Sequence, residues 1–284
     1  MSAHWIYTVP LWLLAIVLIV GVNMLAMGGV LVARRRRWTV SPDDNTAAGY
    51  LHALMGVVYA VALGLIVVMV QGDYGDVEEA SVREASYVGD LYRLMDGLSE
   101  PARSQLQMEV REYVDSVVAS EWPAVARGGY SEVTLRQMDE LARHIIRFAP
   151  TTPHDGDLYP ALLETLQNVL DNRRERMIQG VDGIGGVTWL VIVLGGLITL
   201  GFACTFHMQS VRAQVVLTGL MGTSFALMIF LIIAMDHPLW GDLSIGPDAM
   251  QHIQTAIRLQ EREGAAAGAA DRVIVPHAAV RRTP

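Results

Sequence analysis

Four long runs free of formal charge constrain this chain more than anything else in it. Val9 to Ala33, His52 to Gln71, Val187 to Phe206 and Ala213 to Met235 are each about 20 residues or slightly more, the length an α-helix needs to cross roughly 30 Å of hydrocarbon. With 52% hydrophobic and only 18% charged residues over 284 positions, the chain is too apolar for a soluble globule. The pattern predicts an all-α membrane protein with four transmembrane helices over 9–33, 52–71, 187–206 and 213–235, and no strand signal of any length. A cleaved leader carries its positive charge ahead of the apolar run. Here the Arg34–Arg37 block follows it, so the first run is expected to be retained.

Orientation follows from the basic residues. All of them are Arg, and Arg34–Arg37 lie in the short connection between the first two spans. Basic residues in short loops stay on the cytoplasmic side. Arg212, at the start of the fourth span, agrees. The chain is thus expected in the cell membrane with both termini and the segment between spans 2 and 3 extracytoplasmic. Trp5, Tyr7, Trp12 and Trp38 fit anchors at the membrane interfaces.

The segment 73–182 carries 21 acidic residues and 11 Arg, a net of −10, and reads as an acidic helical bundle outside the membrane. Its apolar stripes are Val88/Leu91/Tyr92/Met95/Leu98, Leu106/Val110/Tyr113/Val114/Val117/Val118, Leu135/Met138/Ala142/Ile145 and Tyr159/Leu162/Leu163/Leu166/Val169/Leu170. Ser99 is expected to cap the second helix. Trp122-Pro123 and Gly128-Gly129 are expected to interrupt it, and 150–156 to form a loop. An amphipathic helix over 247–263 and a flexible Ala/Gly-rich tail over 264–284 complete the chain.

A net charge of −8 excludes nucleic acid as a partner, because phosphate binding needs a basic face. The single Cys204 excludes a disulfide framework. No metal-ligand, phosphate-loop or nucleophile-elbow motif is present, and no acid lies within the spans, so the chain does not read as an enzyme. No cofactor is expected, with Ca²⁺ the one candidate. Asp236, Asp242 and Asp248 follow span 4, on the side where Asp73, Asp76, Glu78 and Glu79 leave span 2. A hard cation takes such oxygens, although a solvated acidic rim needs no ion.

Within span 2, Gly56, Ala60 and Gly64 recur every four residues and suit close helix packing. Beside them runs an apolar stripe, Val57, Val61 and Leu65, which suits a hydrophobic constriction in a symmetric oligomer and equally a lipid-facing surface. Asn23 is the span residue most in need of a partner on another helix.

The run Gly56 to Val61, Glu84-Ala85, Leu91 to Leu94, Glu121-Trp122-Pro123, Arg173 to Arg176, Gly195 to Thr199 and Asp236 to Gly241 together resemble the bacterial bestrophin-like proteins of a four-span domain family (DUF4239). That family is similar to bestrophins, oligomeric anion channels. The resemblance implies a homo-oligomer, a pentamer if bestrophin-like, with span 2 lining the pore. Leu63-Gly64-Leu65 then resembles the bestrophin neck, and 236–248 the Ca²⁺-binding stretch. The neck aromatic is replaced by Leu65, the Trp pair after span 2 is missing, and the acidic bundle attracts cations rather than anions. A homo-oligomeric ion channel is the first expectation. The alternative is a non-conducting membrane scaffold or sensor whose helical bundle binds a partner.

Overall fold

The computed structural model describes residue 7 and residues 9–274, with side chains as far as 263. Among these residues the chain is helical, without strands. The elements are α1 (Leu11–Arg35), α2 (Asn45–Met95), α3 (Ala102–Ser116), α4 (Trp122–Val125), α5 (Glu132–Arg147), α6 (Pro153–Gln179), α7 (Gly186–Cys204), α8 (Val211–Asp236) and α9 (Asp248–Ile274). Helices α1, α2, α7 and α8 each carry a stretch long and apolar enough to cross a membrane, which makes this a multi-pass membrane protein. The chain forms two compact units. The membrane unit comprises Met1–Glu79, Val125–Gly128 and Glu175–Ile245; the bundle unit comprises Ala80–Ala124, Gly129–Arg174 and Gly246–Pro284.

In the membrane unit α1 packs most extensively on α8. Small residues make this possible. A Cβ on Gly222 would stand 3.4 Å from Val22 and 3.6 Å from Ala26, and one on Gly219 would stand 3.0 Å from Asn23 Oδ1. Asn23 finds the partner its burial requires: its Nδ2 donates at 2.9 Å both to Ile19 O and, across the helix pair, to Thr223 Oγ1. Cys204 is a buried hydrophobe beside Val30 and Ala33. At the charged end of α1, Arg34 donates to Gln214 Oε1 (2.8 Å) and to Met208 O (2.5 Å), which ties α1 to the α7–α8 connection.

The bundle unit buries the expected stripes of α2, α3 and α6, with four local corrections. First, α3 starts at Ala102 after Pro101, and Ser99 does not cap it. The Ser99 hydroxyl donates instead to Asp155 Oδ2 at 2.7 Å. Second, 150–156 is not all loop, because α6 begins at Pro153. Thr152 and Asp155 form a reciprocal capping pair: the Thr152 N–H donates to Asp155 Oδ2 and the Asp155 N–H to Thr152 Oγ1, each at 3.1 Å. Pro153 then occupies the first helical position, where its missing N–H costs nothing.

Third, α5 buries Thr134, Met138, Leu141 and Ile145 rather than Leu135 and Ala142. The Thr134 hydroxyl donates to Ser116 O at 3.2 Å, so a polar residue occupies the core face. Fourth, Trp122-Pro123 does not end its helix. Pro123 supplies no N–H and crowds the carbonyl four residues back. A π-helical turn over Val117–Glu121 absorbs the misfit: the Trp122 N–H donates to Val117 O, five residues back.

That turn brings Glu121 into a buried ionic cluster. Arg173 Nη1 donates to Glu121 Oε1 at 2.9 Å and to the Tyr113 hydroxyl at 3.0 Å, and its Nη2 donates to Glu121 Oε2. Tyr113 donates in turn to Glu84 Oε1 at 2.5 Å. Burial pulls the Arg173 pKa down, but Tyr113, Glu121 and Glu84 outweigh it and hold the guanidinium charged. α9 lies on α3 through Arg111–Glu261 (2.7 Å) and Gln254–Asp115 (2.6 Å). Burial, then the Glu261 charge and hydrogen bond, push the Tyr92 hydroxyl up to about 12. The α9 backbone continues through the stretch expected to be flexible as far as Ile274, in keeping with the helix propensity of its Ala residues. Residues 275–284 of the expected tail lie outside the described residues.

Candidate pore-lining helix

In its membrane part α2 has two unlike sides. Tyr59, Leu63 and Val70 are buried against Ile192 of α7 and Ile232 of α8, with Ile66, Val67 and Phe225 around them. A helix turns about 100° per residue, so these positions share one face. The Tyr59 hydroxyl donates to Ile192 O at 2.6 Å, and its ring meets Phe225 edge-on at 5.4 Å. The ring lies in a seat made by glycines: a Cβ on Gly195 would come within 2.5 Å of Tyr59 Cε2. The small residues of α7 thus serve packing inside the subunit.

Val57, Val61 and Leu65 lie on the opposite side and are 59–67% exposed. The Gly56/Ala60/Gly64 stripe flanks them. Gly56 and Gly64 have nothing within 4 Å of an added Cβ, so this stripe packs against no helix of its own subunit.

At the end of the apolar run of α2, Asp73, Asp182 and Asp236 share a cavity of about 260 Å³ with Val70, Gln179 and Met235. Asp182 had no signal in the sequence as a member of this group. The carboxylates expected as ion ligands have other partners. Asp236 accepts the Ile184 N–H at 2.6 Å and the Tyr7 hydroxyl at 3.4 Å. Burial, and then the Asp236 charge, push the Tyr7 pKa well above the ordinary tyrosine value. Gly183 is required beside this carboxylate, since a Cβ there would stand 2.4 Å from His237. Asp242 accepts the Leu11 N–H at 2.9 Å and so serves the first turn of α1. Asp248 opens α9 in the other unit. Asp236, Asp242 and Asp248 therefore do not form one ligand set: among the described residues no three His, Cys, Asp or Glu side chains converge to hold a metal ion.

The Bestrophin-like domain matches residues 17–250 of the sequence. The chain belongs to the bestrophin-like family. The fold agrees. The structure of a point mutant of a bacterial bestrophin homologue from Klebsiella pneumoniae superposes with a TM-score of 0.58 at 13% identity, over 87% of this chain and 97% of that one. The crystal structure of a membrane protein superposes with a TM-score of 0.60 at 11% identity, over 84% and 97%. At such identities the likeness is one of fold. No curated protein matches the chain. Helix α2 is accordingly described within a bestrophin-like subunit of channel-type fold.

Proposed function

We propose that this bestrophin-like protein assembles into a homo-oligomeric ion channel, with α2 innermost and Val57, Val61 and Leu65 narrowing the pore. The supporting observation is the two-sided character of α2. One side fastens it to α7 and α8 through Tyr59 and Leu63, and the other presents an unpartnered apolar row. The Gly56/Ala60/Gly64 flank leaves room for the helix of an adjoining copy. Rings of Val and Leu close a path by excluding water. A pentamer is the assembly the resemblance implies. The Arg34–Arg37 loop supports a cytoplasmic connection between α1 and α2, with the acidic bundle on the far side.

Two influences act on ion choice. The family resemblance favours anions, and the net charge of −10 over 73–182 concentrates cations within a Debye length of about 8 Å. Planar-bilayer recording separates them through the reversal potential under a salt gradient. The same recordings test the pore. Val61→Ala and Leu65→Ala are expected to raise conductance or open probability over wild type. A verified oligomer that is silent as wild type and in both variants overturns the reading.

A further inference from the structure

At its charged end, α1 is separated from α7 by an apolar slot. The cavity measures about 310 Å³ and is walled by Leu25, Gly29 and Val32 of α1 and by Leu197 and Gly201 of α7, with Trp38 across one end. Deeper packing explains Gly29, whose Cβ would stand 2.8 Å from Cys204 Sγ. It does not explain Gly201: a Cβ there meets nothing within 4 Å, so the slot is wider than the subunit's own packing needs. Leu25, Val32 and Leu197 are exposed along it, on helices apolar enough to lie within a bilayer.

The mouth of the slot is cationic. The Arg37 backbone, at φ 58°, turns the chain back, and the Trp38 N–H donates to Ala33 O at 2.8 Å. This places Arg35, Arg36 and Arg37 in the turn between the wall residue Val32 and Trp38. Arg34 is engaged by two neutral acceptors. Arg35, Arg36 and Arg37 are exposed, and none is paired with a carboxylate among the described residues.

We propose that the slot holds an acyl chain of an anionic phospholipid, whose phosphate is bound by the Arg35–Arg37 turn. An apolar cleft beneath a cluster of unpaired guanidinium groups matches that ligand in both halves. Guanidinium forks suit phosphate oxygens, and the cleft keeps one chain out of the bulk bilayer. Zwitterionic lipid would gain only the second half.

The test uses the delipidated full-length protein, titrated with phosphatidylglycerol or with phosphatidylcholine of the same chains and read by native mass spectrometry. Wild type is expected to retain phosphatidylglycerol preferentially, with about a fivefold loss of that preference for each Arg removed. Arg35→Gln/Arg36→Gln lies on an exposed turn and is expected to bind both lipids alike. Gly201→Leu fills the slot and is expected to lose bound phosphatidylglycerol at an unchanged Tm in detergent. Equal retention of the two lipids by wild type overturns the proposal. So does an undiminished preference in the Arg variant, which carries the test alone should Gly201→Leu not fold, or undiminished binding by a folded Gly201→Leu.

Discussion

Arg173 directs both terminal nitrogens of its guanidinium at the Glu121 carboxylate, and neither side chain has more than a few per cent of its surface exposed. Two charges removed from water in this way are stable only together, because each alone would keep its full desolvation penalty.

Breaking the pair should therefore cost more than replacing it. Arg173→Ala or Glu121→Ala is expected to destabilise the bundle by about 3–5 kcal/mol. The double variant Arg173→Met/Glu121→Leu should recover a large part of that loss. Denaturant unfolding of the four proteins, arranged as a double-mutant cycle, gives the coupling.

Asp155 sets an acid limit. Its carboxylate accepts the Ser99 hydroxyl (2.7 Å), the Ser99 N–H (3.0 Å), the Thr151 hydroxyl (3.0 Å) and the Thr152 N–H (3.1 Å). Led by the Ser99 hydroxyl, these donors hold its pKa well below the ordinary aspartate value. A depressed folded-state pKa means the unfolded chain binds the proton more readily. The contribution is complete above the ordinary pKa and is lost as pH falls from about 4 through the lower folded value. Tm should drop over that range, and Asp155→Asn should show a lower neutral Tm and a flatter acid limb.

The Tyr59 seat leaves no room for a methyl group. Gly195→Ala should destabilise the membrane unit by about 1–3 kcal/mol, because the ring is held on its other side by Phe225. Tyr59→Leu alone loses the bond to Ile192 O. Combined with Gly195→Ala, it should cost less than the sum of the two single changes, as read by thermal unfolding in detergent.

Asp242 acts on α1. Asp242→Ala should cost about 1 kcal/mol, the usual effect of losing a helix-capping carboxylate. Thermal scans with Ca²⁺ and with chelator should show the same loss, since the carboxylate oxygen nearest α1 is already engaged by the Leu11 N–H.

Orientation is open to direct labelling, because Cys204, the only cysteine, is buried. Asp157→Cys introduces an exposed thiol into the bundle unit. A membrane-impermeant maleimide should label it on intact cells if the bundle is extracytoplasmic. Labelling only after lysis would reverse the orientation.

The spans are legible in the sequence because a charge-free run of about 20 residues has few other uses. Hydropathy does not reveal which side of α2 faces its own subunit. Val57, Tyr59, Val61 and Leu63 are all apolar, and only the Gly195-Gly196 seat, more than a hundred residues later, selects Tyr59 and Leu63 as the packed face. The start of α6 is legible, against the loop expected there: Thr152-Pro153-His154-Asp155 has cap, first-turn proline and returning carboxylate in order. The ionic cluster is not legible. Glu84, Glu121 and Arg173 are far apart in sequence, and each looks like any other charge on a solvated helix. The motifs that carry the family resemblance nevertheless include all three.

The π turn before Pro123 has a further consequence for how this chain tolerates change in length. It is one residue longer than a regular helical course over the same ground. Loss of a single codon between 117 and 120 would restore ordinary winding and swing the rest of the helix by about 100°. Glu121 would then leave Arg173 without its carboxylate, although no residue of the cluster had been altered. Substitutions along this helix are judged one side chain at a time, whereas its length is fixed to the residue.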